Sequence, residues 1–284
     1  MTISLAQNDS IFNRLQAISN NGLTFYNSDG FTITSETLNY PFTEKGLKKV
    51  YRKYAIKKDE NKTKDDQLAF NNYFVTNDKE ITEELVQNNT FYFIENKDKR
   101  ITIIQFSAIN KRDKAFEHTI IKSIIEKTIP KENYASMKID SINFADRKIK
   151  LGSNCSWTNV NTVQCPYSGE MNWSVHKDLE DAQNTVAQQL AIAKSRKNGK
   201  VVSEAIVDIE FEGTETKAKK VIYDFTGLTS VLASMSGGKT LTIFYVATEV
   251  RGNYVSCVLS FWNNDTITEN GLAPLLEEVM KLKK

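Results

Sequence analysis

Apolar residues recur along this chain with two periods, every second residue in some stretches and every third or fourth in others. A strand turns successive side chains to opposite faces, and a helix returns to one face every three or four residues, so the two periods separate strands from helices. Thr90–Ile94 and Ile101–Ser107 read as strands around the turn Asn96–Lys99, and Asp113 to about Thr128 reads as a helix burying Phe116, Ile120, Ile121, Ile124 and Ile125. The same order returns near the C-terminus. Thr240–Val250, Arg251–Asn253 and Tyr254–Trp262 precede a helical spacing of Leu272, Leu275, Leu276, Val279 and Leu282, with Pro274 in its first turn. Self-similarity of this kind predicts two related modules in tandem.

The remaining segments fill in both modules. Asp9 caps a first helix with Ile11, Phe12, Leu15 and Ile18, which Asn20-Asn21-Gly22 stops. Leu23–Tyr26 and Phe31–Thr34 flank Asn27-Ser28-Asp29-Gly30, a hairpin signal. Thr43 caps a helix with Leu47, Val50, Tyr51 and Tyr54 on one face, residues 57–67 are a charged loop, and Leu68–Val75 is a strand candidate. Pro130 ends the helix before it and places a boundary at Pro130–Tyr134. Beyond it, Met137–Phe144 and Lys148–Leu151 form a hairpin, and Met171–Val175 a strand. Asp178 opens the longest helix, to about Lys197, ended by Asn198-Gly199. Val201–Phe211 and Lys219–Phe225 pair around Gly213, and Leu228–Met235 is ambiguous. The fold class expected is α+β, two tandem modules over 1–130 and 134–284, each a mostly antiparallel sheet with covering helices.

The second module resembles the PsbP-like superfamily, which includes the extrinsic photosystem II subunit, the Ran-binding Mog proteins and bacterial envelope proteins of unassigned role. The resemblance lies in Leu241–Val246, Tyr254–Phe261 and the helical spacing Leu272–Leu282, a long hairpin followed by a C-terminal helix. It implies a helix lying across an antiparallel sheet, and binding or assembly as the function. It transfers no functional residue.

Lys+Arg 37 against Asp+Glu 35 leaves a net charge of +2, which is no footprint of a nucleic-acid binder. The exception is local. Lys45, Lys48, Lys49, Arg52, Lys53, Lys57, Lys58, Lys62 and Lys64 face only Asp59 and Glu60 within Lys45–Lys64. Two readings stand, a solvated helix face with a polar tail and a patch for an anionic partner. No apolar run reaches the ~18–20 residues of a membrane span.

Motifs for catalysis are thin. Residues 233–240 match a relaxed phosphate-loop pattern ending in Lys239-Thr240, but β-branched and aromatic sequence follows where a helix should start. His118 and His176 have no zinc-type spacing, and there is no Gly-x-Ser-x-Gly elbow, although a spatial triad leaves no sequence trace. Glu210 and Glu212 share a strand face and read either as a carboxylate pair or as solvent-facing acids. No catalytic residue, cofactor or metal is expected.

Cys155 and Cys165 lie in one polar stretch with a spacing that fits no metal or redox motif, so they read as a disulfide or as reduced cytosolic thiols. Cys257, in an apolar strand, reads as a small buried hydrophobe. Trp157, Tyr167 and Trp173 fall in or beside that stretch and are read as a partner surface, or as rings packed beneath the loop. Ser4-Leu5-Ala6 resembles the end of a signal peptide, so residues 1–9 read as a leader remnant or a disordered start. Together these give a non-enzymatic, secreted or periplasmic binding or assembly protein with a protein partner in the envelope, the alternatives being a cytoplasmic location, a carrier of a small hydrophobic ligand, and a hydrolase.

Overall fold

The computed structural model describes residues 11–227 and 238–283, and these form two compact units, 11–27 with 31–135 and 28–30 with 136–283. The expected leader or disordered start at 1–9, the ambiguous segment Leu228–Met235 and most of the phosphate-loop match lie outside the described residues.

In chain order the first unit holds strands β1 (Gln16–Asn20), β2 (Leu23–Ser28) and β3 (Phe31–Pro41), helix α1 (Glu44–Lys53), strands β4 (Asn72–Thr82), β5 (Leu85–Glu95) and β6 (Arg100–Ile109), helix α2 (Lys114–Glu126) and strand β7 (Tyr134–Ala135). The sheet order is β4-β5-β6-β3-β2-β1-β7, with β1 and β7 pairing in parallel and the neighbouring long strands antiparallel. The period of two sorts its side chains. Phe91, Phe93, Ile101 and Ile103 face Leu47 and Val50 of α1, while Tyr92, Ile94, Ile104 and Phe106 face Phe116, Ile120 and Ile121 of α2. Asp113 caps α2, its side chain accepting from the Phe116 N–H.

The second unit continues with β8 (Ser141–Phe144), β9 (Arg147–Lys150), β10 (Ser156–Asn159), β11 (Thr162–Cys165), β12 (Gly169–His176), helix α3 (Leu179–Ser195), β13 (Gly199–Phe211), β14 (Thr214–Phe225), β15 (Thr240–Val250), β16 (Asn253–Trp262), helix α4 (Pro274–Glu277) and β17 (Met280–Leu282). Its antiparallel sheet runs β10-β11-β12-β16-β15-β14-β13-β17, and β8-β9 is a separate hairpin. Helix α3 packs on β12, β15 and β16, and its Val186 and Leu190 cluster with Val221 and Tyr223 of β14 and Ile243 and Tyr245 of β15. On the opposite face Phe144, Ile149, Trp173, Phe211, Phe244, Cys257 and Leu259 form the larger core with Leu272, Leu276 and Val279.

The fold class expected from sequence is corrected. Strand takes 49% of the described residues and helix 19%, and the helices do not cover the sheets. Length explains why. The 10 residues of α1 make a helix of about 15 Å, whereas a 7-stranded sheet is about 29 Å across. Each helix covers a few strands, and loops and hairpins cover the rest.

Two expected helices are corrected as well. Gln16–Asn20 is a strand, and Asn21-Gly22, read as a helix stop, is the hairpin turn into β2 with both φ positive. The C-terminal helix is a single turn begun by Pro274, after which Met280–Leu282 pairs with Ile209–Phe211 of β13. The exposed backbone of β13 outcompetes helix continuation there. The repeat is therefore limited to its hairpins: β5–β6 and β15–β16 each sit in an antiparallel sheet, but only the first is followed by a full helix.

One buried carboxylate ties the second unit together. Glu212 and Arg251 occupy the first positions of the β13–β14 and β15–β16 turns with φ of 50–51°, a region unfavourable to residues with a Cβ. Glu212 accepts from Arg147 through two bonds of 2.6 and 3.1 Å and also from Arg251, and Arg251 donates to the carbonyls of Phe144 and Ala145 at 2.7 and 2.8 Å. The Glu210/Glu212 pair is thus divided, since Glu210 binds Lys281 at the surface instead. Glu212→Ala is expected to lower stability by about 2–3 kcal/mol in urea denaturation, because two arginines lose a carboxylate that is only 4% exposed. Glu210→Ala should cost under ~0.5 kcal/mol. Equal losses for the two variants would show that the buried carboxylate is no anchor.

Candidate functional site

A concave surface lies beside helix α1, built from the residue before the helix to the loop after it. The Thr43 side chain caps the helix by accepting from Gly46 N at 3.3 Å. Gly46 lets the helix start close to the end of β3: a Cβ there would stand 2.1 Å from the Pro41 carbonyl oxygen. Leu47 and Val50 are buried, with Tyr51 and Tyr54 packed beside them. That orientation leaves Lys45, Lys48, Lys49 and Arg52 exposed, at i, i+3, i+4 and i+7 along one stripe.

After the helix, Ala55 takes a left-handed conformation and Ile56 returns to the core, its N–H donating to the Tyr51 carbonyl at 2.9 Å. The chain then loops outward through Lys57 and Lys58. Lys62 points inward, donating to the carbonyls of Lys57, Lys58 and Glu60 and lying 5.8 Å from the Tyr51 ring centre. The result is an open groove of about 1310 Å³. Its apolar lining is Phe42, Leu47, Tyr51, Ile56 and Tyr73, and its charged lining is Lys45, Lys48, Lys49, Arg52, Lys57, Lys58 and Lys62, with Glu44 and Asp59. Phe42 and Tyr73 lie parallel, 3° between planes and 6.0 Å between centres. Burial pushes the Tyr51 hydroxyl up to about 12, with the neighbouring Tyr73 adding to it. No carboxylate among the described residues forms an ion pair with the seven cations of the lining. Of the other basic residues in this segment, Lys53 pairs with Glu36 at 2.5 Å and Lys64 with Asp66 at 3.3 Å.

The far end of this loop is pinned. Thr63 and Phe74 exchange backbone hydrogen bonds of 2.7 and 3.0 Å. The Asp65 carboxylate, 1% exposed, accepts from His118 at 2.7 Å and the Gln67 N–H at 3.1 Å and pairs with Lys114 at 3.2 Å. Asn72 bonds both the N–H and the carbonyl of Asp65. Burial pushes the Asp65 carboxyl up, but the bonds from His118, Gln67 and Lys114 outweigh it and hold it below the usual carboxylate range. Next to His118, the buried Glu117 accepts from Tyr92 at 2.8 Å and Thr90 at 3.3 Å, and burial raises its carboxyl. Sequence reasoning missed both acids. Glu117 had a signal, since it extends the buried stripe of Ile120, Ile121 and Ile124 at helical spacing; Asp65, in a charged loop, had none.

The other sites singled out in the sequence are placed as follows. His176 is 2% exposed and bonds Ser256, itself 3% exposed, at 2.8 Å, so neither meets solvent. Lys239 and Thr240 donate backbone N–H groups to Asn263 and lead into β15, so no helix starts after them. Cys155 and Cys165 are joined by a disulfide, and Cys257 is buried with its thiol raised well above the ordinary value by that burial. Trp173, read as partner surface, is 3% exposed and belongs to the core. Trp157 leans on it, ring centres 6.0 Å apart, and donates its indole N–H to the Ser136 carbonyl at 2.9 Å. Of the three aromatics, Tyr167 stands out at 64% exposed. No group of three His, Cys, Asp or Glu among the described residues could hold a metal ion, and no described helix is long and apolar enough to cross a membrane.

Two measurements test this placement. Asp65 has a lowered folded value, so its contribution is complete above about pH 4, where the unfolded carboxyl ionises, and is lost as pH falls through the folded value. Asp65→Asn is therefore expected to lose about 2 kcal/mol at neutral pH and to show a shallower fall in stability below about pH 4 than the parent. Parallel acid limbs would refute the pinning role. For the cysteines, intact mass after alkylation should show no adduct on the native protein and one after denaturation without reductant; two or three adducts would mean that the bridge is absent.

Comparison with known proteins adds little. No protein-family model matches the chain, and no curated protein matches it. Among solved structures the chain is similar to the di-domain ARO/CYC StfQ from the steffimycin biosynthetic pathway, at 9% identity over 91% of this chain and 78% of that one, with a TM-score of 0.17. A score that low establishes no shared fold, and no function is carried over from it.

Proposed function

We propose that this protein is a non-catalytic binding protein of the cell envelope or exterior, and that it takes an anionic ligand in the groove beside helix α1. The observation that carries this reading is the set of exposed cations at the groove, Lys45, Lys48, Lys49, Arg52, Lys57 and Lys58, none with a carboxylate partner among the described residues. Like charges at i,i+4 on a helix are mutually destabilising, by about 0.2–0.5 kcal/mol per pair, and Lys45/Lys49 and Lys48/Arg52 are two such pairs. A bound anion relieves that repulsion. The disulfide supports an oxidising compartment. Burial of both His176 and Ser256 favours binding over hydrolysis, since a substrate has no access to them. The PsbP-like resemblance implies the same class, on its hairpin alone, since the final helix is one turn long.

Calorimetry with sodium tripolyphosphate tests the reading. Binding should weaken steadily as salt rises from about 50 to about 300 mM, as the screening length shortens. Lys48→Glu with Arg52→Glu should weaken it at least about tenfold, while reversal of the exposed Lys122 and Lys127, on helix α2 and at its C-terminal cap on the opposite face of the same sheet, should change it little. Equal effects of the two double variants would reduce the interaction to general charge and remove the groove from the account.

A further inference from the structure

We propose that the groove beside α1 is a site for an anionic amphiphile, a hydrocarbon chain ending in a phosphate or carboxylate. This rests on the anion-binding reading above and specifies its ligand class.

The argument is the division of the groove into a floor and a rim. Phe42, Leu47, Tyr51, Ile56 and Tyr73 place carbon on the inside. Six cations stand outside them on two sides, Lys45, Lys48, Lys49 and Arg52 on the helix and Lys57 and Lys58 on the loop, while Lys62 lies over Tyr51 with its ammonium taken up by three backbone carbonyls. A small inorganic anion would leave the floor in water, and a neutral apolar ligand would leave the rim without a counter-charge. One molecule with both chemistries satisfies both. The volume, about 1310 Å³, leaves room for a hydrocarbon chain together with its head group.

The same features disfavour a nucleic-acid strand, which also combines cations with aromatic rings. Base stacking needs open ring faces. Phe42 and Tyr73 spend a face each on one another, and Lys62 lies over Tyr51. The rim is mostly lysine, a point charge suited to a terminal phosphate or carboxylate, whereas planar bidentate recognition would favour arginine.

Alkyl phosphates below their micellar concentrations supply the test, read by calorimetry on the full chain. Each methylene buried on the floor should raise affinity about fourfold. Dodecyl phosphate has six more methylenes than hexyl phosphate and should therefore bind at least about thirtyfold more tightly with only two or three of them buried. Lys48→Glu with Arg52→Glu should weaken dodecyl phosphate at least about tenfold and leave dodecyl maltoside unaffected. Phe42→Ala should flatten the chain-length dependence; if it does not fold, the chain-length series on the parent protein still decides. Affinity independent of chain length, with tripolyphosphate still bound at the rim, would overturn the amphiphile and leave the anion-binding reading standing. Dodecyl maltoside binding as tightly as the phosphate would overturn both. So would the absence of any binding by tripolyphosphate and alkyl phosphates alike. Displacement of dodecyl phosphate by a tighter-binding oligothymidylate would replace the amphiphile with a nucleic-acid strand.

Discussion

Burial of Leu47 and Val50 against β5 and β6 sets the direction of every other side chain on helix α1. A helix with one apolar stripe has one way to face a sheet, and once it does so its remaining positions point to solvent. On α1 those positions are largely lysine and arginine, so packing alone produces the cationic stripe. Gly46 permits the approach, because the Pro41 carbonyl occupies the place of a Cβ. Arg52 and Lys53 in the last turn also suit the negative end of the helix dipole, a small favourable term beside the repulsion along the stripe.

The opposite wall depends on how the chain leaves that helix. Ile56 re-enters the core one turn later, Lys62 gathers three carbonyls, and the Thr63–Phe74 bridge with the Asp65–His118–Lys114 cluster holds the end. A segment that is almost wholly charged, and has little to bury, is thereby held in place by polar contacts. The groove combines a wall positioned by the hydrophobic effect with a wall positioned by hydrogen bonds and ion pairs.

The second unit meets a related constraint with different means. Its sheet is wider than any helix among the described residues is long, and the larger core face is closed by the β8–β9 hairpin and the segment around Leu272–Val279. Such small pieces bury too little area to hold themselves. The buried Glu212, shared by Arg147 and Arg251, fastens the hairpin to two turns of the sheet, and β17 fastens the C-terminal segment to β13.

Local chemistry was legible in the sequence wherever it sufficed to decide structure. Thr43, Asp113 and Asp178 cap the helices expected of them, because a cap needs only its own next turn. The hairpins at Asp29-Gly30, Glu212-Gly213 and Arg251-Gly252 form where they were read, because a two-residue turn needs only positive φ at both positions. The cationic density of Lys45–Lys64 was visible too, though not which residues would face one groove: Lys53, Lys62 and Lys64 are drawn off to other partners. What the sequence left open was decided by contacts between distant segments. Gln16–Asn20 and Met280–Leu282 have helical spacing but pair as strands, since β2 and β13 supply neighbours that no local pattern reveals. Trp173 lies in polar sequence yet is core, because the β8–β9 hairpin folds over it. The groove itself, the Asp65–His118 contact across 53 residues and the Glu212–Arg147 pair across 65 exist only once the chain is folded. Spacing records what a residue's neighbours in the chain require; which distant surface it meets is settled by the topology of the sheet.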